Sequence, residues 1–313
     1  MPRLGLGDLI AAGPRAVSRY TGTLLAVFVA QSLIAASCIV AIAAVFAHTF
    51  SHLPMFDEAV DGDFVALIYA IRHGKDSMVA AAGIVFGAVM LWQLASWFVV
   101  GGACSVLAQR PEGRGDTARC FGAGGASTYL AYARLALCAL PGWIVVLAVL
   151  AFGAGLVKGR IDHALTVTEL LAPLAAAVVP AALLLHILWT VEDYARVELT
   201  LRQDTHDPGV VATYLRSLSY VLRRPVTLVH GALGWLVFAL VSLAYFYLSL
   251  GHPMYGAEGA VTLFVIRQGV ALARTATRFA VLAGQIELGK SRPLPPRRVE
   301  AKAEPQKGSR GST

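Results

Sequence analysis

The sequence predicts an all-α, polytopic integral membrane bundle of six transmembrane helices, with both termini cytoplasmic and short interfacial amphipathic helices beside them. Three observations carry this. Of 313 residues, 57% are hydrophobic and only 14% charged, against about 25% charged in soluble domains. The apolar residues gather into six stretches of 20 or more, and ~20 helical residues cross ~30 Å of hydrocarbon. Hydrocarbon gives the backbone no hydrogen-bond partner, and the period-two alternation of a barrel is absent, so each stretch reads as a helix. Finally, 18 Lys and Arg lie on the side shared by the two termini and 4 in the opposite connections, which puts both ends inside.

Residues 1–23 form a cytoplasmic or interfacial segment. Asp8 caps one short turn before a Gly13-Pro14 break, and Leu4, Leu6, Leu9 and Ile10 with Arg15 and Arg19 suit the inner interface. The first span, 24–47, is too long and too far from the start for a signal peptide. In the outer connection Asp63 can cap a helix whose Phe64, Leu67, Ile68 and Ile71 share a face, ended by Gly74. Its carboxylates, Asp57, Glu58, Asp61 and Asp63, lack the calcium-loop spacing, so no metal is expected.

The second span, 79–107, carries a Gly83-xxx-Gly87 pair suited to close helix contact. "QRPEGRGDTARCFGAGGAS" then reads as a flexible Gly-rich loop, and "GAGG" follows no strand, which argues against a phosphate loop. The third span, 128–156, holds Pro141 and Gly142; the fourth, 169–191, holds Pro173 and Pro180. Such prolines either kink a helix or free carbonyls that line a transport site. After it, Asp207 caps and Pro208 opens a basic amphipathic helix with Val211, Leu215, Leu218 and Leu222 at helical spacing and Arg216, Arg223 and Arg224 on the remaining face, stopped by Pro225. Spans at 226–250 and 259–283 complete a domain of residues 24–290, and the Pro-rich basic tail, 291–313, reads as disordered.

Two charge clusters stand out. In "WTVEDYARVELTLR" (189–202), Glu192 and Asp193 precede Arg196 by four and three residues, and Glu198 precedes Arg202 by four. This spacing predicts structural ion pairs along a polar stalk that extends span four into the cytoplasm. In span six, Arg267, Arg274 and Arg278 share one stripe at ~100° per residue, with Gln285 in line with them, while Glu287 points the other way. An unpaired arginine at membrane depth costs about 2.5–3.5 kcal/mol. At ~1.5 Å per residue, Arg278 lies within a side chain's reach of Asp193, and Arg267 does not. Arg134, early in span three, joins the inner-leaflet set. Arg134, Arg267, Arg274 and Arg278 are therefore candidate ligands for a lipid phosphate or small anion; the alternative is snorkelling, with hydrogen bonds to carbonyls freed by Pro180.

The polar residues within spans, Gln31, Ser37, Gln93, His186 and His230, suit interhelical hydrogen bonds better than a proton relay. Cys38, Cys104, Cys120 and Cys138 lack metal or CxxC spacing and read as free thiols. No nucleophile, acid–base pair or nucleotide motif is present, which leaves no catalytic residue, cofactor or metal to assign. The net charge of +7 reflects topology and an anionic inner leaflet, with no call on nucleic acid.

"FGAGGASTYLAYARLAL" (121–137), "DYARVEL" (193–199), the helix before "RRP" and "RQGVALARTATRFAVLAGQIEL" (267–288) together resemble an uncharacterised group of six-span bacterial integral membrane proteins. The resemblance covers most of the chain and implies topology without a substrate. The expectation is a non-enzymatic bacterial inner-membrane protein, an assembly or lipid-interacting component whose partners are the bilayer, anionic lipid and other membrane proteins. The alternative is a small-solute transporter or permease-like protein.

Overall fold

A computed structural model describes residues 5–50, 74–161, 167–202, 209–250 and 257–293. Among these residues there are eight α-helices and no strand: α1 (Leu6–Arg19), α2 (Thr21–Phe50), α3 (Lys75–Gln109), α4 (Arg114–Ile161), α5 (Val167–Leu201), α6 (Val210–Arg223), α7 (Pro225–Leu250) and α8 (Ala257–Ser291). Each predicted span falls inside one long helix. Five of them, α2, α3, α4, α5 and α7, are long and apolar enough to cross a membrane. Their outward faces carry large apolar side chains such as Leu33, Phe86, Leu137, Phe152 and Leu243, all exposed. Water does not tolerate apolar surface on that scale, and hydrocarbon does. The chain has the make-up of a multi-pass membrane protein.

The sixth long helix, α8, is the least apolar, because Arg267, Arg274 and Arg278 interrupt its run. It is also the central one, packing against α1, α2, α3, α5 and α7. That position gives polar side chains neighbours other than lipid.

Packing is tightest at the end of the bundle where α3 ends and α4 begins. Val99 to Leu107, Thr190 to Thr200 and Phe279 to Leu288 contribute most of the buried side chains there. Here the Gly-rich "loop" expectation is corrected. The connection between α3 and α4 is short, residues 110–113, and "FGAGGAS" lies within α4. Its glycines meet those of α3. A Cβ on Gly102 would sit 2.6 Å from the Phe121 carbonyl oxygen, and one on Gly125 2.7 Å from that of Phe98; at Gly101 and Gly124 it would overlap Thr128 and Ser105. Glycine is needed here for backbone approach. The pair Gly83 and Gly87 has nothing within 4 Å of its missing Cβ atoms, so the predicted contact is not made there.

Two elements expected at the interface also depart from expectation. α1 runs unbroken through Gly13-Pro14. Gly13 lies flat against α8, where a Cβ would come 2.7 Å from that of Ala280. The one hydrogen bond that Pro14 forgoes concerns the carbonyl of Ile10, an exposed residue that other partners can reach. Asp8 sits in the first turn and accepts from Gly5 N–H at 2.9 Å. α6 buries Thr213, Ser217, Tyr220 and Val221, and turns Val211, Leu215 and Leu222 outward. Its apolar ridge is thus free to meet lipid. The predicted caps Asp207 and Pro208, the 63–74 helix up to His73, the carboxylates at 57–63 and the tail beyond residue 293 lie outside the described residues.

The glycine contacts make a direct prediction. Gly125→Leu should lower stability by about 1–3 kcal/mol through overpacking between α3 and α4, whereas Gly83→Leu should stay within about 0.5 kcal/mol. Unfolding in mixed micelles of denaturing and mild detergent would check the contrast, and equal effects would place the α3/α4 contact elsewhere.

Candidate functional site

α5 leaves its apolar segment at Val191 and presents two acids in a row. Both predicted pairs to Arg196 form: Nη2 lies 2.9 Å from Glu192 Oε2 and Nη1 3.3 Å from Asp193 Oδ1. Glu198 pairs with Arg202 as predicted. The exposed-stalk expectation is corrected, however: Glu192, Asp193 and Glu198 are all buried. The helix continues inside the bundle because α4 and α8 flank it. Trp143 of α4 donates its indole N–H to Glu192 at 2.9 Å. Tyr132, also on α4, donates to the Arg196 carbonyl at 3.1 Å and lies 2.7 Å from Thr200 Oγ1.

From α8, Arg278 reaches Asp193 with both terminal nitrogens. Nη1 is 2.6 Å from Oδ2, and Nη2 bonds Oδ1. Gln285, one stripe position further along, donates more weakly to Oδ2 at 3.4 Å. The Arg278 side chain is 42% exposed and that of Asp193 3%. The carboxylate is thus sealed in while the guanidinium keeps one edge open. This contact matches the reach inferred from helical rise, and for Arg278 a carboxylate serves where the alternative named carbonyls freed by Pro180. Pro141, Pro173 and Pro180 all lie within continuous helices.

The open edge of Arg278 faces a cavity of about 690 Å³, bounded by α2, α3, α5, α7 and α8. Its walls are largely aromatic and aliphatic, with Trp92, Trp189, Trp235 and Phe238 among them. Trp189 and Trp235 lie against each other, 4.8 Å between centroids and tilted by 35°. Its charged side chains are Asp193, Arg274 and Arg278, beside Gln285 and a scatter of other polar groups such as Gln31 and His186. Ile39, Val85, Val89 and Trp235 line the cavity and are nonetheless exposed, which shows that it is not sealed.

Arg274 has a different partner. Its guanidinium carbon sits 4.2 Å over the centre of the Phe238 ring, and among the described residues no carboxylate pairs with it. Cation–π contact of this kind is worth about 0.5–2 kcal/mol and does not neutralise the charge. The other two predicted arginines lie apart from the cavity. Arg267 Nε donates to Tyr245 at 2.7 Å, and Arg134 is exposed on α4. Glu287, predicted to point away, pairs with Arg110.

Several intramembrane polar groups tie helices together, as expected. Thr275 donates to Gln31 at 2.9 Å, joining α8 to α2. His186 Nε2 lies 3.0 Å from the Leu228 carbonyl, so it carries the proton and joins α5 to α7. Ser37 instead bonds within its own helix, to Ile34. All four cysteines are free. Sequence reasoning missed Trp143 and the tryptophan walls. It placed Gln285 on the stripe with Arg274 and Arg278 but gave it no partner; the structure supplies Asp193.

Removing Asp193 tests the network. Asp193→Ala strands Arg278 while Arg196 keeps Glu192, and stability should fall by about 3 kcal/mol, the low end for breaking a buried pair because Arg278 can turn into the cavity. Arg267→Gln, which touches neither acid, should cost under about 1 kcal/mol. Thermal unfolding in one detergent would rank them. Compared with protein-family models, curated proteins and solved structures, the chain finds no significant match.

Proposed function

We propose that the chain is a non-enzymatic, lipid-interacting component of a bacterial inner membrane, and that its cavity holds an anionic amphiphile. The observation that carries this is Arg274, a guanidinium with no carboxylate partner among the described residues, at the polar end of an apolar, unsealed cavity. Aromatic walls suit a hydrocarbon chain. The exposed rim residues lie within the apolar spans, so the opening faces the bilayer and a lipid reaches it sideways. Charged headgroups then meet Arg274 and the free edge of Arg278, as a phosphate or carboxylate does with any arginine fork.

In this reading α8 is a sixth span, both termini are cytoplasmic, and α1 and α6 lie at the inner interface with Arg15, Arg19, Arg216 and Arg223 toward anionic headgroups. The motif resemblance to six-span bacterial proteins supports the same topology. A reporter fused to the C terminus checks it. Fluorescent protein that matures only in the cytoplasm should be bright there, and a dark fusion with active periplasmic phosphatase would mean that α8 does not cross.

Lipid retention tests the function. Protein purified in mild detergent should carry anionic lipid above its share of the membrane, and Arg274→Gln should reduce that enrichment about tenfold. Enrichment unchanged by the substitution would overturn the proposal. Solute flux through liposomes holding the pure protein would overturn it in favour of transport.

A further inference from the structure

We infer that the cavity selects its amphiphile by headgroup charge, taking one negative unit, and that Asp193 sets this number; the inference rests on the amphiphile reading above. Charges held away from water must be compensated locally, because the desolvation cost of an unmatched one falls on the complex itself. Around the cavity's polar end, Glu192 and Asp193 are matched by Arg196 and Arg278. Among the described residues at this end, Arg274 is the one guanidinium left over. Other nearby acids are engaged elsewhere: Glu287 with Arg110 and Glu198 with Arg202.

A monoanion at Arg274 therefore makes the site neutral. A dianion leaves one negative charge beside Asp193, whose two oxygens are already taken by Arg278. A zwitterion brings a cation toward two guanidinium groups. Substituting Asp193 by Asn changes the count by one. Arg196 keeps Glu192 at 2.9 Å, while Arg278 loses its carboxylate and joins Arg274 as a second uncompensated cation facing the cavity.

Three single-chain probes of equal tail length separate these cases: hexadecanoate, hexadecyl phosphate and hexadecylphosphocholine. Each is titrated, as a spin-labelled tracer, against the full chain in phosphatidylcholine bilayers. Alkaline pH keeps both acids fully ionised and imidazole side chains out of the count. The wild-type protein should favour hexadecanoate over the phosphocholine by about tenfold and over the phosphate by several-fold, and Asp193→Asn should reverse the order of the two anions by about tenfold. Arg274→Gln, at an exposed side chain, should erase the preference for anions.

A wild-type protein that binds the phosphate as well as or better than the carboxylate overturns the charge count, as does an Asp193→Asn protein with the wild-type order. If Asp193→Asn does not fold, the wild-type order alone decides. Equal binding of all three probes by the wild type refutes the amphiphile reading itself, a result distinct from failure of the count.

Discussion

The structure is organised around a buried carboxylate that has to be neutralised. Asp193 is placed where α5 is still enclosed by other helices, and its ionised form is tolerable there only if cations come to it. Arg196 comes from one turn along the same helix, and Arg278 from α8. The first pair is local and forms wherever α5 is helical. The second sets the register of α8 against α5, because a one-turn slip would take the guanidinium away from the acid. Such a pair returns little net stability once desolvation is counted. Its contribution is to specify which residues of α8 face which neighbours. Arg274, one turn before Arg278 on the same stripe, is thereby aimed into the cavity.

Space for the cavity follows from unequal packing. Glycines 101, 102, 124 and 125 let α3 and α4 approach to backbone contact, and α5 fits beside them with Val191, Ala195 and Val197 essentially without exposure. On the other flank, bulky rings stand between the helices: Trp92 on α3, Trp189 on α5, and Trp235 and Phe238 on α7. Helices separated by indole rings leave volume that small residues would have closed. The same chain thus carries a rigid seam and an open groove, and α8 borders both.

Much of this was legible in the sequence, and the rest was lost for identifiable reasons. Six apolar runs became six long helices because length and composition decide that question in one dimension. The pairs to Arg196 and the reach from Arg278 to Asp193 were legible too, since helical rise and period determine both. Which face meets a neighbour is not a one-dimensional property. "GAGG" looked like a loop because glycine serves both flexible turns and close helix contact, and the clue lay in its complement, Gly101-Gly102 just upstream. Gly83 and Gly87 had the right spacing on an unoccupied face. The stalk at 192–202 read as exposed because charges usually are, yet Trp143 and Tyr132 approach it from a helix 49 to 68 residues away in sequence.

A single unmatched arginine in this setting also bears on what holds the groove open. With its charge over Phe238 and no acid paired with it among the described residues, Arg274 needs water or an anion in the cavity to solvate it. Collapse of the groove would strip away both, so the guanidinium resists the closing of α7 onto α2 that hydrophobic contact would otherwise favour. Residues that look wasteful for stability therefore maintain the cavity. An uncharged residue at 274 would let the tryptophan walls pack together, and the groove would shrink for reasons of packing before any question of ligand arose. Charge at that position therefore bears on two things at once: the volume of the groove and, under the proposed function, the charge of what enters it.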